Sequence, residues 1–268
     1  VVQITGEIDQ FGVNHSRADE SSVLHYFTLD RESRSSIRRC IELARSNLGP
    51  LRHLIPSELW LEVNRLYLDV QRWSPASLAA VGAAAFFADL RDRFYTIAGV
   101  IESTMPRDQA YDFIQLGTMI ERADNVARLL DVKYHYLLPR LEEIGGPSDL
   151  RQWAAVLRSA SALEAFRKTY GNAITIDRVV EFLVFDPAFP RSVRFCADRI
   201  DASIARIGAT GQIPAPSAGL PTEPLLAMLR AASAAAVIAE GLHHFLLVVQ
   251  KESATIANLA FGRYMSLE

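Results

Sequence analysis

The chain has 268 residues, half of them hydrophobic, and a formal net charge of −3. That length allows a sizeable core, built as one large domain or as two intimate halves. The slightly acidic balance gives no electrostatic footprint for nucleic acid, and no run of about 18 apolar residues lacks a charge, so no membrane span is expected.

The stretch nearest to a span, Ala231 to Gln250, is interrupted by Glu240, His243 and His244. Helices of this kind pack inside a bundle or against another subunit, which leaves a homo-oligomer open. Of the 28 basic residues only Lys133, Lys168 and Lys251 are lysines. Arginine suits bidentate pairing with carboxylate or phosphate, although a codon bias gives the same skew. The 2 cysteines, Cys40 and Cys196, do not make a disulfide framework. No signal peptide is visible, so a cytoplasmic location is expected. The chain opens at Val1 and not at Met, and an N-terminal segment is expected to be missing from it.

Nearly everything reads as helix. Arg34 to Leu48 is one, stopped by Gly49-Pro50, and Ser57 to Trp73 is a second, entered from Pro56. Ser74-Pro75 supplies an N-cap with proline at the first helical position, opening a long apolar helix to about Thr104. Pro106 breaks it, and the next helix runs from about Asp108 to Leu138 before Pro139. Pro147-Ser148 opens a helix ending near Tyr170-Gly171, a short one covers Asp177 to Phe185, and Pro190 starts another that reaches Ile207. Residues 208–224, rich in proline and glycine, form the linker-like segment. A last long helix fills Leu225 to about Tyr264. No alternating run bounded by hairpin turns occurs, so strands are not expected beyond Val1 to Thr5. The expected fold is all-α, a multi-helix bundle forming a single domain over residues 1–268.

The chain also repeats itself. Asp30-Arg-Glu-Ser-Arg-Ser-Ser-Ile-Arg-Arg-Cys40 aligns without gaps on Asp186-Pro-Ala-Phe-Pro-Arg-Ser-Val-Arg-Phe-Cys196, an offset of 156 residues. A weaker echo pairs Ile101-Glu102-Ser103 with Lys251-Glu252-Ser253 at an offset of 150. Similar offsets point to a duplicated unit and an internal pseudo-two-fold repeat, with halves of about 1–134 and 135–268.

The helix after Pro106 has the clearest pattern. At 100° per residue, Glu121, Asp124, Asn125, Arg128 and Asp131 lie within about 120° of one another. Leu116, Met119, Ile120, Ala123, Val126, Ala127 and Leu130 fill the opposite arc. Glu121-Arg122 on this helix resembles the signature of the bacterial Alpha-E family, all-helical proteins named for a Glu-Arg motif. The resemblance is carried further by Ser103-Thr-Met-Pro-Arg-Asp-Gln-Ala-Tyr-Asp112 and Phe182-Leu-Val-Phe-Asp-Pro-Ala-Phe-Pro-Arg-Ser-Val-Arg-Phe-Cys196. It spans most of the chain and departs in the alanine-rich helix from Ala76. Family members typically open with a helix bearing a first Glu-Arg motif. Only the mid-chain copy is present here, and the repeat offset likewise places a partner of the Glu121-Arg122 helix before residue 1.

Two clusters carry candidate chemistry. Glu121, Arg122, Asp124 and Arg128 form a polar cluster that would bind an anionic or zwitterionic ligand through arginine, with carboxylates beside it. The plainer reading is a solvated face with an Asp124–Arg128 pair worth ~0.3–0.5 kcal/mol; a buried Glu–Arg pair joining the repeats is a third. Arg191, Ser192 and Arg194, in the first turn after Pro190, form a candidate anion site at a helix N-terminus, and Arg38 is the equivalent in the first repeat. Capping and local pairing explain the same residues. Di-iron bundles need Glu-x-x-His on helices with further Glu partners. Glu240-Gly-Leu-His243 has that spacing once and reads as a helix-surface coincidence, so no metal is expected. His135, between Tyr134 and Tyr136, reads as a packing residue. No Gly-x-Ser-x-Gly, phosphate-cradling loop, dinucleotide fingerprint or Cys-x-x-Cys occurs, and no cofactor is expected. Both cysteines read as small apolar groups within helices.

The Alpha-E resemblance implies association with ATP-grasp ligases and transglutaminase-like proteins in peptide-synthesis or peptide-modification systems. The expected role is an accessory partner that positions an acceptor or growing peptide for the ligase. The alternative is an enzyme in the same pathway, with Glu121 and Asp124 as acid/base groups and Arg128 or Arg194 binding an anionic group.

Overall fold

The computed structural model describes residues 2, 5, 7–15, 17–136, 145–209 and 222–264. Among them the regular elements are helices, and the fold is all-α. The chain divides into two compact units, Val1–Tyr111 and Asp112–Glu268. The boundary falls in the first turn of a helix, upstream of the division near residue 134 expected between repeats.

The first unit contains α1 (Ile8–Asn14), α2 (Glu20–Thr28), α3 (Ile37–Leu48), α4 (Ser57–Val70), α5 (Pro75–Val81) and α6 (Ala83–Thr104). Helices α3 and α4 form an antiparallel hairpin: Arg38 at the start of α3 reaches Val70 at the end of α4, while Arg45 meets Asn64. Their inner faces bury Ile41, Leu66 and Val70 with Leu90 of α6. A smaller cluster packs Val2, Phe11 and Tyr26. Ser74 caps α5 as its sequence predicts, accepting the Ser77 N–H at 3.1 Å. The helix expected to continue to Thr104 is broken at Gly82, whose φ of 83° is a conformation that costs other residues a Cβ clash.

The second unit contains α7 (Gln109–Asp131), α8 (Pro147–Ser159), α9 (Leu163–Tyr170), α10 (Ile176–Val180), α11 (Val193–Ala209), α12 (Glu223–Ala231), α13 (Ala234–Glu240) and α14 (Leu242–Tyr264). Both α7 and α10 run on into π-helical turns, Val132–Tyr136 and Glu181–Phe185. One core joins them through Leu130, Leu157, Phe166, Leu183, Ile200 and Leu246. Two long helices expected from the sequence are subdivided. Ser161, at φ 52°, separates α8 from α9, and the Ser233 cap and Gly241, at φ 122°, cut the last helix into three. The final turn of the helix expected to reach Leu138 lies outside the described residues. So do most of the linker-like segment and residues 1, 3 and 4 of the terminal stretch.

The two segments of similar sequence make similar local hydrogen bonds. The Asp30 N–H reaches back to the His25 carbonyl at 3.2 Å, and Asp186 N–H to Glu181 at 3.0 Å. Each aspartate then accepts a backbone N–H two residues on, Glu32 at 2.9 Å and Ala188 at 2.7 Å. Ser36 and Ser192 are both fully buried N-caps, accepting from Arg39 at 3.2 Å and Phe195 at 3.0 Å. The paired arginines differ. Arg38 donates to the carbonyls of Val70 and Trp73, whereas Arg194 pairs with Asp198 at 3.0 Å.

Candidate functional site

Helix α7 separates its two faces as its periodicity requires. Leu116, Met119, Ala123, Val126, Ala127 and Leu130 are each at most 5% exposed. With that face locked in the core, the charged stripe sits on a rigid support. Glu121 is exposed and accepts from the Asn125 amide at 3.0 Å. One turn on, Arg128 donates to Asp124 at 2.6 Å, the two side chains 37% and 21% exposed. The stripe thus carries intrahelical contacts at i, i+4, exposed at Glu121 and half-buried at Asp124 and Arg128, and Glu121 and Asp124 engage different partners.

Arg122 points elsewhere. Its guanidinium donates to the Pro190 carbonyl at 3.4 Å, linking the Glu-Arg motif to the turn that starts α11. The same turn holds Arg191 and the buried Cys196, whose thiol lies 3.9 Å from the Pro190 carbonyl. Burial pushes that thiol up to about 12, against a weaker pull from Arg122 and Arg191, so it stays protonated at neutral pH. Ser192 donates to the Asp186 carbonyl and accepts the Phe195 N–H, which commits its hydroxyl to capping. Arg122, Arg191 and Ser192 are therefore brought to one turn. Arg194 is taken up by Asp198 on its own helix, and Arg38 lies in the first unit with one terminal guanidinium nitrogen on the carbonyls of Val70 and Trp73.

The end of the stripe meets a partner the sequence did not indicate. Asp131, its last member, faces His243 of α14, with His243 Nδ1 2.5 Å from Asp131 Oδ1. Gly241 separates Glu240 on α13 from His243 on α14, so the Glu-x-x-His spacing does not lie on one helix. In the π-helical turn Lys133 is buried against Asp149 at 2.6 Å and lies 5.0 Å from the Trp153 ring centroid. Burial raises the Asp149 carboxyl, but the Lys133 ammonium and the Gly145 N–H outweigh it and hold the group below the usual carboxylate range. At the other end of α7, Asp112 pairs with Arg206 at 2.6 Å. Among the described residues no three His, Cys, Asp or Glu side chains are grouped to hold a metal ion. The His135 side chain lies outside the described residues.

The first unit has a polar centre with no counterpart in the sequence reading. Glu7 is 8% exposed and accepts from Tyr26 at 2.8 Å, from Ser33 at 3.0 Å and from Ser35. Burial raises its carboxyl, but the three hydroxyls together outweigh that and hold it below its ordinary value. Its charge in turn adds to burial in pushing the Tyr26 phenol up to about 12. Signals for these centres were faint: a Lys in an arginine-rich chain at Lys133, and a Ser-rich stretch at Ser33 to Ser36.

No helix among the described residues is long and apolar enough to cross a membrane. No curated protein and no solved structure matches the chain. A family model does, over residues 1–265, described as a predicted alpha-helical domain with a conserved ER motif. The match takes in Glu121-Arg122 on α7 and the turn that Arg122 holds. The chain belongs to the Alpha-E family.

Proposed function

We propose that this protein is an accessory module that positions substrate for an ATP-grasp-type ligase, alongside a transglutaminase-like protein, in a cytoplasmic bacterial system for peptide synthesis or modification. Membership of the Alpha-E family supports the setting. The observation that carries the positioning role is the α7 stripe: Glu121, Asn125, Asp124 and Arg128 are displayed at helical spacing on a helix whose other face is locked in the core. Such a surface offers guanidinium donors and carboxylate acceptors at fixed separation, suited to orienting an amine or a carboxylate beside a reaction catalysed by another protein. The ligase supplies the nucleotide, phosphate and Mg²⁺ sites that amide formation requires. The matched turns at Asp30 and Asp186 support a duplicated unit as the architecture that carries this surface.

The test is a coupled assay with the cognate ligase. Glu121→Gln and Arg128→Ala each lower amide formation by about tenfold, the loss of one charge-assisted contact. The ligase's own ATP-dependent activation of a carboxylate stays unchanged. Turnover of a substrate by the isolated protein, abolished by Glu121→Gln, replaces this reading with an enzyme that uses Glu121 or Asp124 as acid or base.

A further inference from the structure

In the first unit, the tip of the α3–α4 hairpin carries an open groove of about 470 Å³. Gly49-Pro50 ends α3 and Pro56 precedes α4, so the residues between form a broad turn that extends neither helix. Arg52, His53 and Ile55 of that turn line the groove together with Ser57, Trp60 and Leu61 of α4. The Arg52 guanidinium carbon lies 4.7 Å from the Trp60 ring centroid, and that of Arg45 lies 5.5 Å from the same ring.

A guanidinium stacked on an indole uses its face and keeps its N–H edge for an acceptor. Other arginines of the unit place that edge on carboxylates, Arg65 on Glu62 at 2.7 Å and Arg93 on Asp69 and Asp89. Arg52 has no ion-pair partner among the described residues, and the adjacent Glu58 accepts from the Ser57 hydroxyl at 3.2 Å. The first N–H groups of α4, at the Ser57 wall, carry no side-chain cap and add partial positive charge. Leu61 of the lining is 50% exposed, and Leu51 and Leu54 of the same turn are 44% and 47% exposed.

We propose that this groove binds a carboxylate carried on an apolar body, as in an N-acylated leucine or the C-terminal residue of a peptide. The carboxylate takes the N–H edge of Arg52, and the apolar side chain packs against Trp60 and Leu61. This site lies in the other unit from the α7 stripe and does not depend on the role of that stripe or on a ligase.

Titration of the full chain, followed at the Trp60 indole N–H resonance (identified by its loss in Trp60→Phe), tests the assignment. Three probes are used: N-acetyl-leucine, a tripeptide ending in leucine with a free carboxylate, and the same tripeptide as its C-terminal amide. At least one acid shifts the resonance saturably, and which of them does so identifies a free amino acid or a peptide terminus as the source. The amide leaves it unmoved. Arg52→Gln, an exposed position at which the melting temperature is unchanged, weakens binding by about tenfold, while Arg52→Lys weakens it less because a point charge keeps attraction without the fork. Equal binding of acid and amide, unaltered affinity in Arg52→Gln, or no saturable shift at millimolar concentration overturns the proposal.

Discussion

Replacing Asp149 by asparagine tests the polar centre of the second unit at its most demanding point. Lys133 Nζ lies 2.6 Å from Asp149 Oδ1, the side chains 2% and 8% exposed. The amide keeps the shape, and its oxygen still accepts the Gly145 N–H that Asp149 accepts at 3.0 Å. What is lost is the negative charge and the oxygen facing the buried Lys133 ammonium, where the amide now presents an N–H donor. Breaking a buried pair in this way costs about 3–5 kcal/mol. The contact of Lys133 with the Trp153 ring is present before and after, so it does not alter the difference. The low end of that range, at about 2–4 °C per kcal/mol, corresponds to a fall in Tm of roughly 6–12 °C. Urea unfolding followed by tryptophan fluorescence and by far-ultraviolet circular dichroism measures it. The double variant Lys133→Met/Asp149→Asn, which removes both charges, recovers most of the loss. A cost below about 1 kcal/mol, the range of exposed pairs, refutes the burial argument. So does a double variant as unstable as the sum of the single ones.

The remaining predictions concern acid and caps. Glu7 and Asp149 both titrate below their ordinary values when folded, so they add stability above the unfolded carboxylate pKa of about 4 and lose it as pH falls through the folded values. Stability measured by urea midpoint therefore declines below about pH 4, and Asp149→Asn makes that decline shallower; an unchanged slope counts against the Lys133 contact as its cause. Ser36→Ala and Ser192→Ala each destabilise by about 1 kcal/mol through loss of an N-cap, and threonine restores most of it. Ser192 also holds the Asp186 carbonyl, so its loss is the larger of the two. A neutral effect at either serine shows that the turns, although alike in backbone, are not alike in energetics.

Much of the architecture is written in local pattern. Helix α7 has a core face and a polar face because its residues repeat at the helical period, and the apolar positions of the core arc are buried where that period puts them, with Ile120 at its edge only partly so. Ser36, Ser74 and Ser192 cap the helices that follow them because a side-chain oxygen two or three residues from an unpaired N–H needs no distant partner. The matching turns at Asp30 and Asp186 were legible for the same reason. Interruptions inside long helical patterns were not. Gly82, Ser161 and Gly241 adopt left-handed backbone where neighbouring helices must change direction, and nothing in a window of one helix states that need.

Charge partnerships mark where local reading ends. Asp131 and His243 are 112 residues apart, and Asp112 and Arg206 are 94 apart. Arg38 and Arg194 occupy equivalent positions in equivalent turns, yet one closes the end of α4 and the other pairs along its own helix. The sequence by itself determined the helical class, most of the caps and the two faces of α7, because hydrogen bonds and periodicity within a few residues decide those. Only the tertiary structure decided which charges are buried, which lie open on the surface and which helices break, because a long side chain takes whatever acceptor the packing of distant helices brings within its reach.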